Sequence, residues 1–365
     1  MLKVPAAVIL VATIAACARA PIARTPAQAS TCRTAVDERG QPLTVPIDWR
    51  LPADLDDHAP LLARCRAVGP AVIDATPATD LGPLDLGPLR PSDPGTLGPS
   101  DVLTIATWNT HVGGGDVRAF VTALRNGALT SGEPVGHFVV FLQEVFRRGR
   151  GIPSVLPAGA VAAKRLTASP PSGAREDVVS AASALGLALY YVPSTRNGAE
   201  DLEDRGNAIL STLPLSGFTA IELPFERLRR VAIAATIDTG RGSGLRVASA
   251  HLDVLGGPSR LWIFASGLRD RQARALVAAL DDGQPIVVGA DLNTWADATS
   301  ERAVATLHAA WPEAELHRLR STFRFGLRLD YFFFRLGDGW RGEWRAAESS
   351  FGSDHRPLVS RLSRR

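Results

Sequence analysis

Beyond Asp101 the chain repeats one arrangement: a short apolar, strand-forming run that stops on a carboxylate, an amide or an imidazole. Val102 to Thr107 leads into Trp108-Asn109, and His137 to Leu142 leads into Gln143-Glu144. Asn207 to Leu210 follows Arg205-Gly206, and Leu245 to Ala250 ends in His251-Leu252-Asp253. Ile286 to Val288 runs through Gly289-Ala290 to Asp291-Leu292-Asn293, and Leu329 to Phe334 carries Asp330 beside Tyr331. Ser353-Asp354-His355-Arg356-Pro357 closes the series. β-Branched and aromatic residues at this density favour strands, and Leu189 to Val192 and Val231 to Ile237 are two further candidates. Ala181 to Leu187 and Arg260 to Leu280 read as helices, the second with apolar positions at Leu261, Phe264, Leu268, Ala275, Leu276 and Leu280. Strands in succession without regular helices between them predict an α/β sandwich of mixed, antiparallel-rich sheets flanked by helices. A parallel doubly wound sheet fits the order less well.

The strand ends carry the chemistry. Asn109, Glu144 and Asp354 offer hard oxygen ligands with few nitrogens and no thiols nearby, a set suited to Mg²⁺, Mn²⁺ or Ca²⁺ rather than zinc. Read singly, Glu144 is also explained as a strand-end charge and Asn109 as a turn residue. Asp330 is less easily dismissed, because an acid inside an aromatic strand is costly unless it is partnered. His58, His111, His137, His308 and His317 fit none of the motifs and read as ordinary histidines.

These seven motifs, in this order, resemble the endonuclease/exonuclease/phosphatase superfamily over about residues 101–363. That superfamily comprises metal-dependent phosphoesterases such as pancreatic deoxyribonuclease, neutral sphingomyelinases and inositol polyphosphate 5-phosphatases. The resemblance implies a four-layer α/β sandwich, its two mixed and largely antiparallel sheets packed face to face between helices, with the active site at one edge. It implies Mg²⁺ or Mn²⁺ as cofactor, held by Asn109, Glu144 and Asp354. It implies that Asp291 activates or positions the attacking water, and that Asn293 holds Asp291 and a phosphate oxygen. His251 matches a phosphate-contacting histidine on the leaving-group side, and Asp330 the carboxylate that orients His355 at the scissile phosphate. Asn207 matches an amide that contacts substrate phosphate, while Asp253 is a weaker match. Ala290 stands where the family usually has glycine, which puts the exact seat of Asp291 in question. Arg205-Gly206-Asn207-Ala208-Ile209 differs from the abasic-site endonuclease branch and disfavours DNA repair. The implied substrate is a phosphate ester, with a nucleic acid, a phospholipid such as sphingomyelin, or an inositol phosphate as the competing classes. A binding lipoprotein that kept the fold without turnover is a further alternative, weakened because every motif keeps its reactive residue.

The N-terminus is a targeting segment. Lys3 precedes an apolar stretch from Val4 to Ala16, and Ile14-Ala15-Ala16-Cys17 resembles a bacterial lipobox, whose cysteine becomes the acylated first residue. The alternative is a secretory signal cut near Ala27-Gln28-Ala29. The expected layout is therefore a signal over 1–16, an N-terminal segment over 17–75, a Pro/Gly-rich linker over 76–100 and the catalytic domain over 101–363. The expected location is outside the cytoplasm, anchored by lipid to a membrane at the periplasmic face or the cell surface. In an oxidising compartment Cys32 and Cys65 read as a disulfide pair. No run reaches the roughly 18 consecutive apolar residues of a spanning helix. A formal charge of +3 does not identify a nucleic-acid binder by bulk electrostatics. Locally, residues 146–178 hold Arg147, Arg148, Arg150, Lys164, Arg165 and Arg175, which predicts a long basic loop framing the site. The Arg-rich stretch 318–365 is either a solvated face or a field that draws an anionic substrate.

Overall fold

The computed structural model describes residues 23–24, 34–51, 63–78, 97, 102–149, 151–163, 175–199, 202–225, 228–240, 244–254, 266–294, 301–314, 316, 321–323, 326–337 and 340–364. The first strands are β1 (Ala23–Arg24), β2 (Ala35–Val36), β3 (Pro42–Leu43), β4 (Asp48–Leu51), β5 (Ala71–Asp74) and β6 (Leu103–Asn109). Then come α1 (Val117–Arg125), β7 (His137–Arg148), α2 (Val178–Leu185), β8 (Ala188–Arg196), β9 (Glu203–Ser211), β10 (Ser216–Glu222), β11 (Val231–Asp238) and β12 (Gly244–His251). The rest are α3 (Ser266–Leu280), β13 (Ile286–Asp291), α4 (Arg302–Ala310), β14 (Asp330–Arg335), β15 (Trp340–Ala346) and β16 (Leu358–Arg364). Every strand expected from the motifs is present. Strands 216–222, 340–346 and 358–364 and helices α1 and α4 were not anticipated.

Two mixed sheets result, one of seven strands in the order β1-β4-β10-β11-β12-β13-β14 and one of nine in the order β15-β16-β6-β7-β9-β8-β5-β2-β3. Apolar side chains on alternate residues build three separate cores. Ile105, Phe141, Ile209, Val247, Val287 and Phe332 meet between the sheets. Leu276, Val304, Leu307 and Trp311 of the α3–α4 layer cover Ile286, Val288, Tyr331 and Phe333 on the outer face of the seven-stranded sheet. Phe120, Leu124, Val178 and Leu185 of α1 and α2 do the same for Trp108, Phe138, Val140 and Leu142. The order of layers is helix, sheet, sheet, helix, the four-layer sandwich the motifs implied. β14 shows why its run Tyr331-Phe332-Phe333-Phe334 is unbroken: successive rings go to opposite faces and both faces are covered. Each such side chain contributes roughly 1.5–3 kcal/mol by leaving water.

Register sets the site. β6 and β7 run parallel and bring Asn109 opposite Gln143; β12 and β13 run parallel and bring His251 opposite Asp291. β14 is antiparallel to β13, so it starts where β13 stops, with Asp330 opposite Asp291. One edge of the sandwich therefore collects the ends of strands from both sheets.

The segment ahead of the linker is woven into the sandwich. β4 pairs parallel to β10, and β5 pairs antiparallel to β8. Gly69 N–H donates to Asp204 Oδ2 (2.8 Å), while Arg147 donates to Pro70 O (2.7 Å) and pairs with Asp204, 6% and 0% exposed in their side chains. Cys65 is buried and disulfide-bonded. Cys32 and Cys17 lie outside the described residues, and so does most of the linker.

The basic-loop expectation needs correction. β7 continues to Arg148, and the cations described there are paired with carboxylates of the protein, although the Arg148 side chain remains 54% exposed. Arg147 pairs with Asp204, Arg148 and Arg175 share Glu203, and Arg175 lies 4.0 Å over the Phe146 ring. Arg150, Lys164 and Arg165 fall outside the described residues. Charge in a sequence window says nothing of the carboxylates a fold brings to it.

Candidate active site

Asp291 is the centre of the strand-end cluster and is fully buried. Its Oδ2 accepts from Asn109 Nδ2 at 2.7 Å, and its Oδ1 accepts from the backbone N–H of Asn293 at 2.9 Å. His251 Nε2 and His355 Nε2 lie 3.5 and 3.9 Å from Oδ2. Burial disfavours the charge and pushes this carboxyl up to about 7, with His355 pulling it down and Asp330 adding to the rise.

His355 donates from Nδ1 to Asp330 Oδ2 at 2.8 Å, which fixes the tautomer and turns Nε2 toward Asp291. Burial favours the neutral ring, but the carboxylates of Asp330 and Asp291 outweigh it and raise His355 to about 10. The loop is held locally: His355 N–H donates to Ser353 Oγ (3.0 Å), Ser353 Oγ to Asn109 O (2.7 Å), and Trp108 Nε1 to His355 O (3.1 Å). Phe323 packs against the imidazole with ring centroids 4.8 Å apart.

Glu144 sits at a bulge. The β7–β9 register shifts between Leu142 and Val145, and Glu144 adopts φ +54°. The extra residue re-aims a side chain that regular pleating would send elsewhere. Asn293, just past β13, is also left-handed at φ +51°; its Nδ2 donates to Leu252 O and lies 2.9 Å from His251 Nε2.

Two of the three expected metal ligands, Asn109 and Asp354, meet at a residue read above as an ordinary histidine, and the third, Glu144, bears on it through its charge. His111 N–H donates to Asn109 Oδ1 (2.9 Å), and His111 Nδ1 lies 2.9 Å from Asp354 Oδ1. The bond to Asp354 raises His111 above its ordinary value, and the charge of Glu144 adds to that. Burial opposes ionisation of Asp354, yet His111 and His355 hold its carboxyl below the usual range. A proton on His111 thus does what a cation would do among these oxygens, and the donor set of Asn109, Glu144 and Asp354 fits a hard divalent ion. Asp291, Asp330 and His355 also lie within 4.8 Å of one another. Within that trio His355 is hydrogen-bonded to Asp330, while Asp291 is held by Asn109 and Asn293 and lies 3.9 Å from His355 Nε2.

His251 is buried, and its Nδ1 faces Arg230 Nη1 at 3.0 Å. Burial, and then the Arg230 charge, drive it well below its ordinary pKa, so it sits neutral. Asp253 Oδ1 lies 3.7 Å from Arg230 Nη2. Asn207 donates from Nδ2 to Val231 O (2.7 Å) and lines a cleft with Glu144, Arg205 and His251. Gly206 is required there, since a Cβ would lie 2.0 Å from Val192 O. The alanine at 290 proves harmless. It faces the α3–α4 layer, while Gly289 faces the second sheet, where a Cβ would meet Phe141 at 2.4 Å.

The sequence model of the Endonuclease/Exonuclease/phosphatase family matches residues 106–355. The chain belongs to this family. No curated protein matches it. Among solved structures, the chain is similar to an endonuclease/exonuclease/phosphatase from Beutenbergia cavernae DSM 12333, at 21% identity over 72% of each chain and TM-score 0.47. It is also similar to the human Nocturnin catalytic domain, at 18% identity over 73% of this chain and 98% of that one, TM-score 0.48. Sphingomyelinase C from Streptomyces griseocarneus matches at 15% identity over 72% and 99%, TM-score 0.40. The family match begins at Ala106 in β6 and ends on His355, so it spans every site residue from Asn109 to His355.

Proposed function

We propose that the protein is an exported, divalent-metal-dependent phosphoric ester hydrolase acting on a phosphodiester. One observation carries this reading: Asp291 is clamped by Asn109 and Asn293 and faces the His355–Asp330 pair, beside the oxygens of Asn109 and Asp354 that meet at His111. Mg²⁺ or Mn²⁺, when bound by Asn109, Glu144 and Asp354, supplies Lewis-acid polarisation of a phosphoryl oxygen. Asp291 accepts the proton of the attacking water, its orientation fixed by the two donors that hold its oxygens. His355, with Nδ1 committed to Asp330, presents Nε2–H to the phosphate oxygens as they gain charge. His251 and Asn293 add further polar groups beside Asp291. The test is a panel with Mg²⁺ or Mn²⁺ comprising plasmid DNA, RNA, sphingomyelin, inositol phosphates and bis-p-nitrophenyl phosphate. Hydrolysis of none of them would end this reading.

Export and anchoring rest on Ile14-Ala15-Ala16-Cys17 closing an apolar stretch. Cys17→Ser is expected to move the protein from the membrane to the soluble fraction with its turnover intact. A variant that stays with membranes and is processed normally removes the lipid anchor. A mature N-terminus at Ser30 would instead favour the secretory signal.

A further inference from the structure

Three large apolar side chains stand out in water among the described residues: Val155 at 74% exposed, Val161 at 55% and Leu202 at 44%. All three lie on one tip. Val155 and Val161 belong to the loop after β7, and Leu202 to the turn between β8 and β9. From Ile152 to Ala163 the loop runs twelve residues without a charge, and Ser154 is its one polar side chain. Single exposed apolar residues are ordinary, but a cluster of them on an uncharged loop marks a surface that meets something.

The tip is also fixed in place. Leu202 O accepts from Gly149 N–H (3.0 Å), Ala163 N–H donates to Arg196 O (2.9 Å), and Gly198 N–H donates to Ala163 O (2.8 Å). Arg196 is fully buried without a carboxylate partner among the described residues, a costly arrangement. Its donors go instead to the carbonyls of Pro153 in the loop, Gly198 in the turn and Ala67. A buried cation thus serves to hold an apolar loop out in solvent.

Position says what the tip meets. β7 and β9 stay paired past the level of Glu144, out to Arg148 and Glu203, a further four residues or roughly 13 Å. The tip therefore stands beyond the catalytic edge. The chain enters the fold at the same edge: Ala23 pairs with Leu51, and Arg50 lies beside Ile221. β10 and β11 then set Glu222 opposite Val231, at the end of the sheet that carries His251. Six residues separate Ala23 from Cys17, a reach of about 20 Å at full extension. An acylated Cys17 keeps this corner of the catalytic edge within about that distance of the bilayer.

We propose that the tip formed by Val155, Val161 and Leu202 is a membrane-docking surface, which enters the headgroup layer and turns the catalytic edge toward the bilayer. A lipid surface suits an uncharged apolar tip because it demands no complementary shape, and the tether begins at the same edge. A phosphate ester carried in the bilayer is then presented to Asp291 and His355 without leaving the membrane. The proposal rests on the lipid-anchor reading for its occupant, and not on turnover.

Vesicle binding by the unacylated full chain tests it. Purified Cys17→Ser protein should sediment with phosphatidylcholine vesicles at about millimolar lipid, weaker than a single acyl chain achieves and weak enough to wash off on fractionation. Val155→Asp with Val161→Asp should raise the lipid needed about tenfold or more, since both side chains lose their apolar burial. Both sites are exposed, so the melting temperature should not move. A second measurement leaves the valines untouched. A fluorophore on Leu202→Cys should be quenched by brominated lipid, and one on Ser216→Cys, exposed at the opposite end of the seven-stranded sheet, should not. No binding by Cys17→Ser protein, unchanged binding in the double variant, or quenching at 216 alone would overturn the docking surface. So would a dimer that dissociates in the double variant, since the tip would then cover a second copy. A wild type that carries no lipid while the Cys17→Ser chain still docks would sink the anchor and leave the tip standing. Acylated protein whose label at 202 stays in water would do the reverse.

Discussion

His355→Ala is expected to lower kcat about 10²-fold or more while moving KM far less. A group that donates to oxygens gaining charge in the transition state acts there more than on the bound substrate. The geometry gives the loss a graded companion. Asp330 reaches the reaction only through the 2.8 Å bond to His355 Nδ1, so Asp330→Asn should cost less than His355→Ala. Adding Asp330→Asn to His355→Ala should cost little more, since the carboxylate then has no ring to orient. Asp291→Ala belongs with His355→Ala in size, because it removes the group that takes the water's proton. Steady-state kinetics on bis-p-nitrophenyl phosphate reads all four. Near-normal kcat in His355→Ala, or a larger loss in Asp330→Asn, would remove this assignment of roles.

Removal of the metal is the second large effect. EDTA should silence the wild type, and added Mg²⁺ or Mn²⁺ should restore it. Glu144→Ala should lose nearly all turnover and need much more metal to recover what remains, since it deletes one of two carboxylates in the ligand set. His111 sharpens the expectation. Its Nδ1 lies against Asp354, so a cation arriving there competes with the imidazole proton. Metal titration followed by calorimetry should therefore show protons released on binding. Full activity in EDTA, or unchanged metal affinity in Glu144→Ala, would leave the phosphoesterase without the cofactor assigned to it.

Much of the sandwich was legible in the sequence, for a simple reason. Strands buried on both faces are written as uninterrupted apolar runs, and a carboxylate at the end of such a run stands out. Asp291 and Asp330 were found that way, and register then set them opposite each other. The edge strand Trp340–Ala346 does alternate half-buried and exposed residues, the ordinary mark of a half-covered strand, but Arg341, Gly342, Glu343 and Arg345 leave it too few apolar and β-branched residues to stand out as a run. The short strands of the N-terminal segment escaped because two- and four-residue pairings carry little pattern. Within the site, His111 and Arg230 were invisible because their meaning comes from partners far along the chain, Asp354 and His251. Spacing along a sequence does not encode such contacts. The reverse error befell Arg147, Arg148 and Arg175, whose run of charge looked available until the fold supplied Asp204 and Glu203.

The bulge at Glu144 has a consequence for how this protein would respond to selection. A glutamate with φ +54° holds a backbone conformation that glycine adopts freely and asparagine tolerates, at a cost of order 1 kcal/mol or more. Durability and turnover therefore pull position 144 in opposite directions. A library at that position sorted for heat resistance alone should return glycine and asparagine, and the survivors should be the poorest enzymes in the collection.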